Sequence, residues 1–328
     1  MLVVNRAETE SLLDPDALRR AVAAAMAEVS AGRVAMPART VVSLTRPEGH
    51  LLAMPAHLPD PGVLGAKLVS LFPDNRGRGL PTHHAVVVLF DPGTGAPVAL
   101  IDGESITAAR TAAGSALSAE LLARPSARVL AILGTGVQAR SHALAVVRTR
   151  PFEEVRIAGR RPERAAELAG ELEGLLPCAV AAAGGFAEAC AGADVVCATT
   201  HSPEPVVRRE HLGPGTHVTS VGYHLAGREV DSDTVCDALV VVESRAAVLA
   251  PPPSGSRDLL VPIEEGRIGP DHIHAELGEL VAGTVPIPES GERITLYKSV
   301  GVAAQDLAAA ALVLERAVAE GLGTTIDL

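Results

Sequence analysis

The chain has 328 residues, a formal net charge of -11, 48% apolar residues and 20% charged ones. That length suits two compact domains or one unusually large one, and the apolar-to-charged balance excludes wholesale disorder. That net charge, with no basic run longer than pairs such as Arg160-Arg161 or Arg208-Arg209, excludes a nucleic-acid binder, because phosphate backbones reward clustered Lys and Arg.

The N-terminus MLVVNRAETE has no basic region followed by an apolar one, so no signal peptide is expected. No uncharged apolar run approaches about 18 residues, so no membrane span is expected either. Cys178, Cys190, Cys197 and Cys236 show no C-x-x-C spacing and read as free thiols of a cytoplasmic protein. With no Trp, two Tyr and four Phe, core and pocket must be built from Ala, Val and Leu.

In chain order, residues 15–32 read as a helix capped by Asp14 or Asp16, with apolar residues at three- and four-residue spacing. Strands follow at 40–44, 51–54, 65–72, 84–90 and 97–102, the last two flanking the turn-rich DPGTGA as a hairpin. After a long helix at 107–123 the grammar changes. Strands at 128–134, 155–159 and near 178, 194, 216 and 238 alternate with helices, which indicates a parallel sheet covered on both faces. A last helix, 302–320, comes after that sheet and is free to return to the first domain.

Gly134-Thr135-Gly136-Val137-Gln138-Ala139 is a G-x-G-x-x-A pattern that closes an apolar strand and opens a helix. Gly134 makes the tight turn, Gly136 lets the backbone approach a pyrophosphate, and Ala139 keeps helix and sheet close. The helix N-terminus then meets the phosphate charge. Thr199 and Thr200, ending the fourth strand of this sheet, belong at the edge where such a dinucleotide binds.

The second strand ends in Gly159-Arg160-Arg161, where an NAD-specific site would carry a carboxylate. A guanidinium holds a 2′-phosphate bidentately, so NADP(H) is the expected cofactor. NAD(H) stays open if one Arg only stacks on adenine.

Seven motifs in order then give the chain a resemblance: MPART (36–40), GAKLVSLFPDN (65–75), ITAARTAA (106–113), ILGTGVQA (132–139), GREVD (227–231), AELGELVAG (275–283) and YKSVG with QDLAAAA (297–311). They resemble the ornithine cyclodeaminase/mu-crystallin family over nearly the whole length, most nearly its mu-crystallin-like ketimine reductases. The resemblance implies an α/β fold with a Rossmann doubly wound parallel sheet inserted into a mixed α+β substrate and dimerisation domain. Residues 1–118 with 299–328 form the substrate domain in this reading, and 119–298 the Rossmann domain. It also implies a homodimer joined through the substrate-domain sheets. By motif, Arg39, Lys67 and Arg110 hold the substrate carboxylate beside the nicotinamide.

The residues themselves agree. Lys67 sits in an otherwise apolar strand, and a charge there is expensive unless paired. A small carboxylate pairs all three cations, each charge-assisted bond contributing roughly 1.5–3 kcal/mol. The structural alternative is an internal salt bridge to Asp102 or Glu104.

Two positions depart from the cyclodeaminase pattern. Leu52 stands where a Glu would bind a distal amine, and His224, in a turn one residue shorter, stands near the place of a catalytic Asp. Ornithine cyclisation is therefore disfavoured. The favoured reaction is reduction of the C=N bond of a small imino acid such as pyrroline- or piperideine-2-carboxylate. Lys67 donates the proton directly or through water, with His224 as a second donor or a polar loop residue.

His83 or His84 lines the pocket, beside Leu52, or forms a surface pair. Ser299 contacts the nicotinamide or caps a helix. Neither His83-His84 nor His272-x-His274 has enough neighbours for a metal site. The rival readings are an alanine-type amino-acid dehydrogenase, the cyclodeaminase itself, and a crystallin-like protein that binds NADP and ligand without turnover.

Overall fold

The computed structural model describes residues 1–327 except Leu225, Pro253 and Ser290, with only the backbone of Arg76. The chain divides into two units, Met1–Arg110 with Val302–Leu328 and Thr111–Gly301. The first boundary falls inside one helix, Gly103–Leu122.

The first unit is a seven-stranded sheet. Its strands are β1 (Leu2–Val4), β2 (Thr40–Thr45), β3 (Glu48–Leu58), β4 (Val63–Leu71), β5 (His83–Phe90) and β6 (Pro97–Asp102), with a two-residue strand at Thr324–Thr325. The order from that last strand is β1-β6-β5-β4-β3-β2. Only the β1–β6 pair is parallel.

Period-two alternation sorts the side chains. Leu52, Met54, Ala56 and Leu58 of β3, with Val87 and Leu89 of β5, are buried on the face that packs against the helix Ala303–Glu320. That helix also packs on Pro15–Ser30, whose N-cap is Asp14, bonded to the Ala17 amide at 2.7 Å. The opposite face exposes Val42, Leu51, Leu68 and Val86, paired across strands as Val42 with Leu51 and Leu68 with Val86.

The second unit is an eight-stranded, wholly parallel sheet: β7 (Val129–Leu133), β8 (Glu154–Ala158), β9 (Ala179–Ala182), β10 (Val195–Ala198), β11 (His217–Ser220), β12 (Leu239–Val242), β13 (Ile273–Glu276) and β14 (Thr295–Lys298). The order is β13-β12-β14-β11-β10-β7-β8-β9. Chain order reverses direction between β7 and β10, and ligands of such sheets bind outside the strand ends at that point. This is the doubly wound α/β arrangement expected from the sequence. β13 and β14 were not among the expected strands, and β14 enters between β11 and β12.

No helix among the described residues is long and apolar enough to cross a membrane.

Candidate active site

In the first unit, β4 carries Lys67 on its buried face, opposite Met54 of β3 and Val87 of β5. Gly65, two residues earlier on the same face, sets how near the covering helix comes. A Cβ there would lie 2.4 Å from the Val88 carbonyl and 3.1 Å from Leu307 Cδ2. That close approach brings Asp306 to Lys67. The lysine Nζ donates to Asp306 Oδ1 at 2.8 Å, and Arg110 Nε donates to the same oxygen at 2.9 Å. Arg110 Nη1 also donates to Gln305 Oε1 at 2.9 Å. All three charged side chains are buried, Asp306 completely.

Two buried cations thus share one carboxylate, whose second oxygen, Oδ2, is buried without a hydrogen-bond partner among the described residues. Burial disfavours the ammonium and lowers the Lys67 pKa from 10.5 to about 8. Asp306 opposes that shift, while the charges of Arg110 and Arg39 add to it. The partner is neither Asp102 nor Glu104, the acids next in sequence. Asp102 accepts from the Ser105 amide at 2.8 Å, and Glu104 holds His84 and Arg6.

Of the two adjacent histidines, His83 shares the Lys67 face, and its pKa is lowered by burial first and by Lys67 second. His84 is exposed, bonded to Glu104 at 3.0 Å. Leu52 lies on the same face within an apolar cluster with Val69 and Ala85. Arg39 is half-buried just before β2, within electrostatic range of Lys67.

In the second unit, Gly134 has φ +132°, a conformation that L side chains rarely adopt. A Cβ there would lie 2.5 Å from Thr199 Oγ1, so the turn after β7 presses against the end of β10. Gly136 is the N-cap of the helix Val137–Val146, no side chain caps its first turn, and Val137 is 70% exposed. Thr135 closes over Gly159, and Gln138 lies half-buried in that first turn with its carbonyl accepting from His142 Nδ1 at 2.7 Å. Ala139 is fully buried against the sheet core. An uncapped helix start beside a positive-φ glycine fits a pyrophosphate. Arg160 and Arg161 are exposed after β8 and form no ion pair among the described residues.

A second buried polar cluster lies beyond the ends of β10, β11 and β14. Glu229 accepts from Thr200 N, from Thr200 Oγ1 at 2.7 Å, from Ser220 Oγ at 2.9 Å and from Gly222 N at 2.8 Å. Lys298 Nζ reaches Asp258 Oδ2 at 2.8 Å, the Gly222 carbonyl at 2.9 Å and Ser220 Oγ at 3.0 Å. Burial raises the Glu229 pKa, with Lys298 opposing. Gly222, Glu229, Asp258 and Lys298 line a small, open cleft together with Thr200 and His224.

His224 Nδ1 accepts from the Gly227 amide at 2.8 Å and its ring stands 4.8 Å from that of His201. That bond leaves the proton of the neutral ring on Nε2. Leu225, in the same turn, lies outside the described residues.

Ser299 corrects one expectation. The last helix has Val302 as its N-cap, without a side-chain bond, and the Ser299 hydroxyl instead donates to Glu243 Oε2 at 2.7 Å. It caps nothing.

Asp306, Gln305, Glu229 and Asp258 were given no role from sequence. The available signal was a Gln-Asp pair in an alanine-rich helix, where polarity at buried positions asks for partners.

The model of the ornithine cyclodeaminase/mu-crystallin family matches residues 1–321. The chain is 39% identical to the ketimine reductase mu-crystallin of Mus musculus over 285 residues, 87% of this chain and 86% of that one. It superposes with a TM-score of 0.94 and 38% identity on Thermococcus litoralis Delta(1)-pyrroline-2-carboxylate reductase in complex with NADH and L-proline, covering 99% of this chain and 100% of that one. An archaeal alanine dehydrogenase dimer with bound NAD gives a TM-score of 0.92 at 32% identity, covering 100% and 99%.

Proposed function

The chain belongs to the ornithine cyclodeaminase/mu-crystallin family, and we propose from that premise that it reduces small 2-imino acids, cyclic ones such as pyrroline-2-carboxylate foremost, with a pyridine nucleotide. The observation that carries this reading is the buried pair Lys67–Arg110 sharing the single carboxylate of Asp306. The pair keeps one net positive charge, which suits one substrate carboxylate. In this reading Arg39 and Arg110 hold that carboxylate in the first unit, with Leu52 and His83 bordering the substrate.

The second unit holds the cofactor, its pyrophosphate at Gly134, Thr135, Gly136, Val137 and Gln138. Thr199, Thr200 and Ser299 belong to the nicotinamide side. Arg160 and Arg161 take a 2′-phosphate, so NADP(H) is preferred over NAD(H). The bound cofactor supplies a hydride to the imine carbon. Lys67, with a pKa of about 8, gives a proton to the substrate nitrogen and is recharged from solvent. His224 remains a second donor.

Leu52 supports reduction over cyclodeamination, because its apolar surroundings offer nothing to a second ammonium. We further assign the exposed face bearing Val42, Leu51, Leu68 and Val86 to a homodimer interface. The free cysteines suit the cytoplasm.

The test is a panel of 2-imino acids and 2-oxo acid/amine pairs, each assayed with NADPH and NADH. Oxidation of NADPH by pyrroline-2-carboxylate supports the proposal. A preference for pyruvate with ammonia supports the alanine dehydrogenase reading, which the archaeal structure keeps in view.

A further inference from the structure

The chain contains only two lysines, Lys67 and Lys298, among 28 Lys and Arg residues. Both are buried, and both face a buried aspartate. Arginine supplies every other basic position. A lysine differs from arginine in being a compact charge that releases its proton when desolvated. At Lys298 three acceptors surround the ammonium at 2.8–3.0 Å, so its donors are all used. At Lys67 Asp306 is the one acid in contact among the described residues, and Thr107 Oγ1 stands farther off at 3.4 Å.

We propose that Asp306 is a positioning residue: its carboxylate, braced by Arg110 and carried to β4 by the close approach at Gly65, fixes Lys67 as the group that delivers a proton to the substrate nitrogen. The inference rests on the imino-acid reductase reading. In the step, a hydride from the reduced nicotinamide forms the new C–H bond. The C=N π pair moves to nitrogen, a Lys67 N–H bond breaks as the new N–H bond forms, and Lys67 is left neutral until solvent reprotonates it. Asp306 keeps its charge throughout. It sets the pH at which Lys67 is still loaded.

The experiment uses the full-length protein labelled with 13C at the lysine ε-carbon, which yields two signals, assigned with K67M. Each is titrated in wild type and in D306N, and the alkaline limb of kcat/KM for imine reduction is recorded in parallel. Removing the carboxylate removes the charge that favours the ammonium, so the Lys67 midpoint falls by about one pH unit or more. The kinetic limb moves with it, and the Lys298 signal stays in place.

An unmoved Lys67 midpoint overturns the proposal, whatever happens to turnover. Movement of the midpoint in a protein that reduces no imino acid keeps the pairing and sinks the reductase reading instead. If D306N does not fold, D306E decides. It keeps the charge but displaces it, so turnover is expected to fall at least about tenfold with the Lys67 midpoint near wild type. Unchanged turnover in D306E contradicts a positioning role.

Discussion

Lys67 and Asp306 lie 239 residues apart in sequence, and their charged atoms stand 2.8 Å apart with neither side chain more than 3% exposed. The first unit is therefore closed by the chain's return: β4 supplies the cation and the last long helix supplies the anion.

Replacing Lys67 by Met removes the proposed proton donor but keeps most of the side-chain volume. Turnover of an imino acid is expected to fall about 10²- to 10⁴-fold, while NADPH binding, followed by fluorescence titration, stays within about threefold. K67R does not restore activity, because a guanidinium holds its proton and leaves a different shape beside Asp306. Recovery in K67R shows that charge alone suffices.

Loss of Arg160 and Arg161 together tests the cofactor choice. Each charge-assisted bond to a 2′-phosphate contributes roughly 1.5–3 kcal/mol, so kcat/KM for NADPH is expected to drop at least about tenfold while that for NADH changes little. A wild-type enzyme that prefers NADH contradicts the assignment before any variant is made.

Gly134→Ala places a Cβ 2.5 Å from Thr199 Oγ1 at a φ of +132°. The turn must move away from β10, and the helix start beside it moves too. Cofactor affinity is expected to weaken by at least about tenfold, read by isothermal titration, together with a lowered melting temperature. Wild-type affinity in this variant shows that the turn does not meet the pyrophosphate.

Two histidines buried in the second unit set its acid limit. His142 bonds Ser115 Oγ at 2.9 Å, and His217 lies between Ser118 Oγ at 3.1 Å and Thr295 Oγ1 at 2.8 Å. Burial lowers their pKa values from 6.5 to about 4 and about 3 respectively. Below pH 6.5 the unfolded chain binds protons that the folded chain refuses, so their contribution is complete above 6.5 and declines as pH falls towards 4 and 3. Each pH unit lost in that window costs about 1.4 kcal/mol per histidine. Denaturant midpoints are expected to fall between pH 6.5 and 4, and replacing His142 with Gln is expected to flatten that slope. An equally steep slope in that variant excludes His142 as a source.

Much of this was legible because pattern and physics coincide. The strands at 40–44, 84–90 and 97–102 appear within a residue of their expected bounds, since alternation and the DPGTGA turn leave one register. The β7 strand and its glycine turn were clear for the same reason: a continuous apolar run must be buried, and Gly134 must turn. β14 was missed because Thr295–Lys298 is only four residues long and ends in a charged residue, which breaks the apolar run that marks a buried strand. That lysine is buried because Asp258, the Gly222 carbonyl and Ser220 Oγ accept from its ammonium at 2.8–3.0 Å. Asp306 was missed because pairing partners 239 residues apart leave no local trace. A lone acid on a buried helix face says that a cation is needed but not which one.

The proposed function requires that buried cations in the first unit recognise the substrate by its carboxylate. Pyrroline-2-carboxylate and its carboxamide, of the same ring and nearly the same size, should be compared under one set of conditions for NADPH oxidation. Loss of the anion is expected to lower kcat/KM by at least about 100-fold, the worth of two charge-assisted bonds. Equal turnover of acid and amide would contradict recognition through the carboxylate outright.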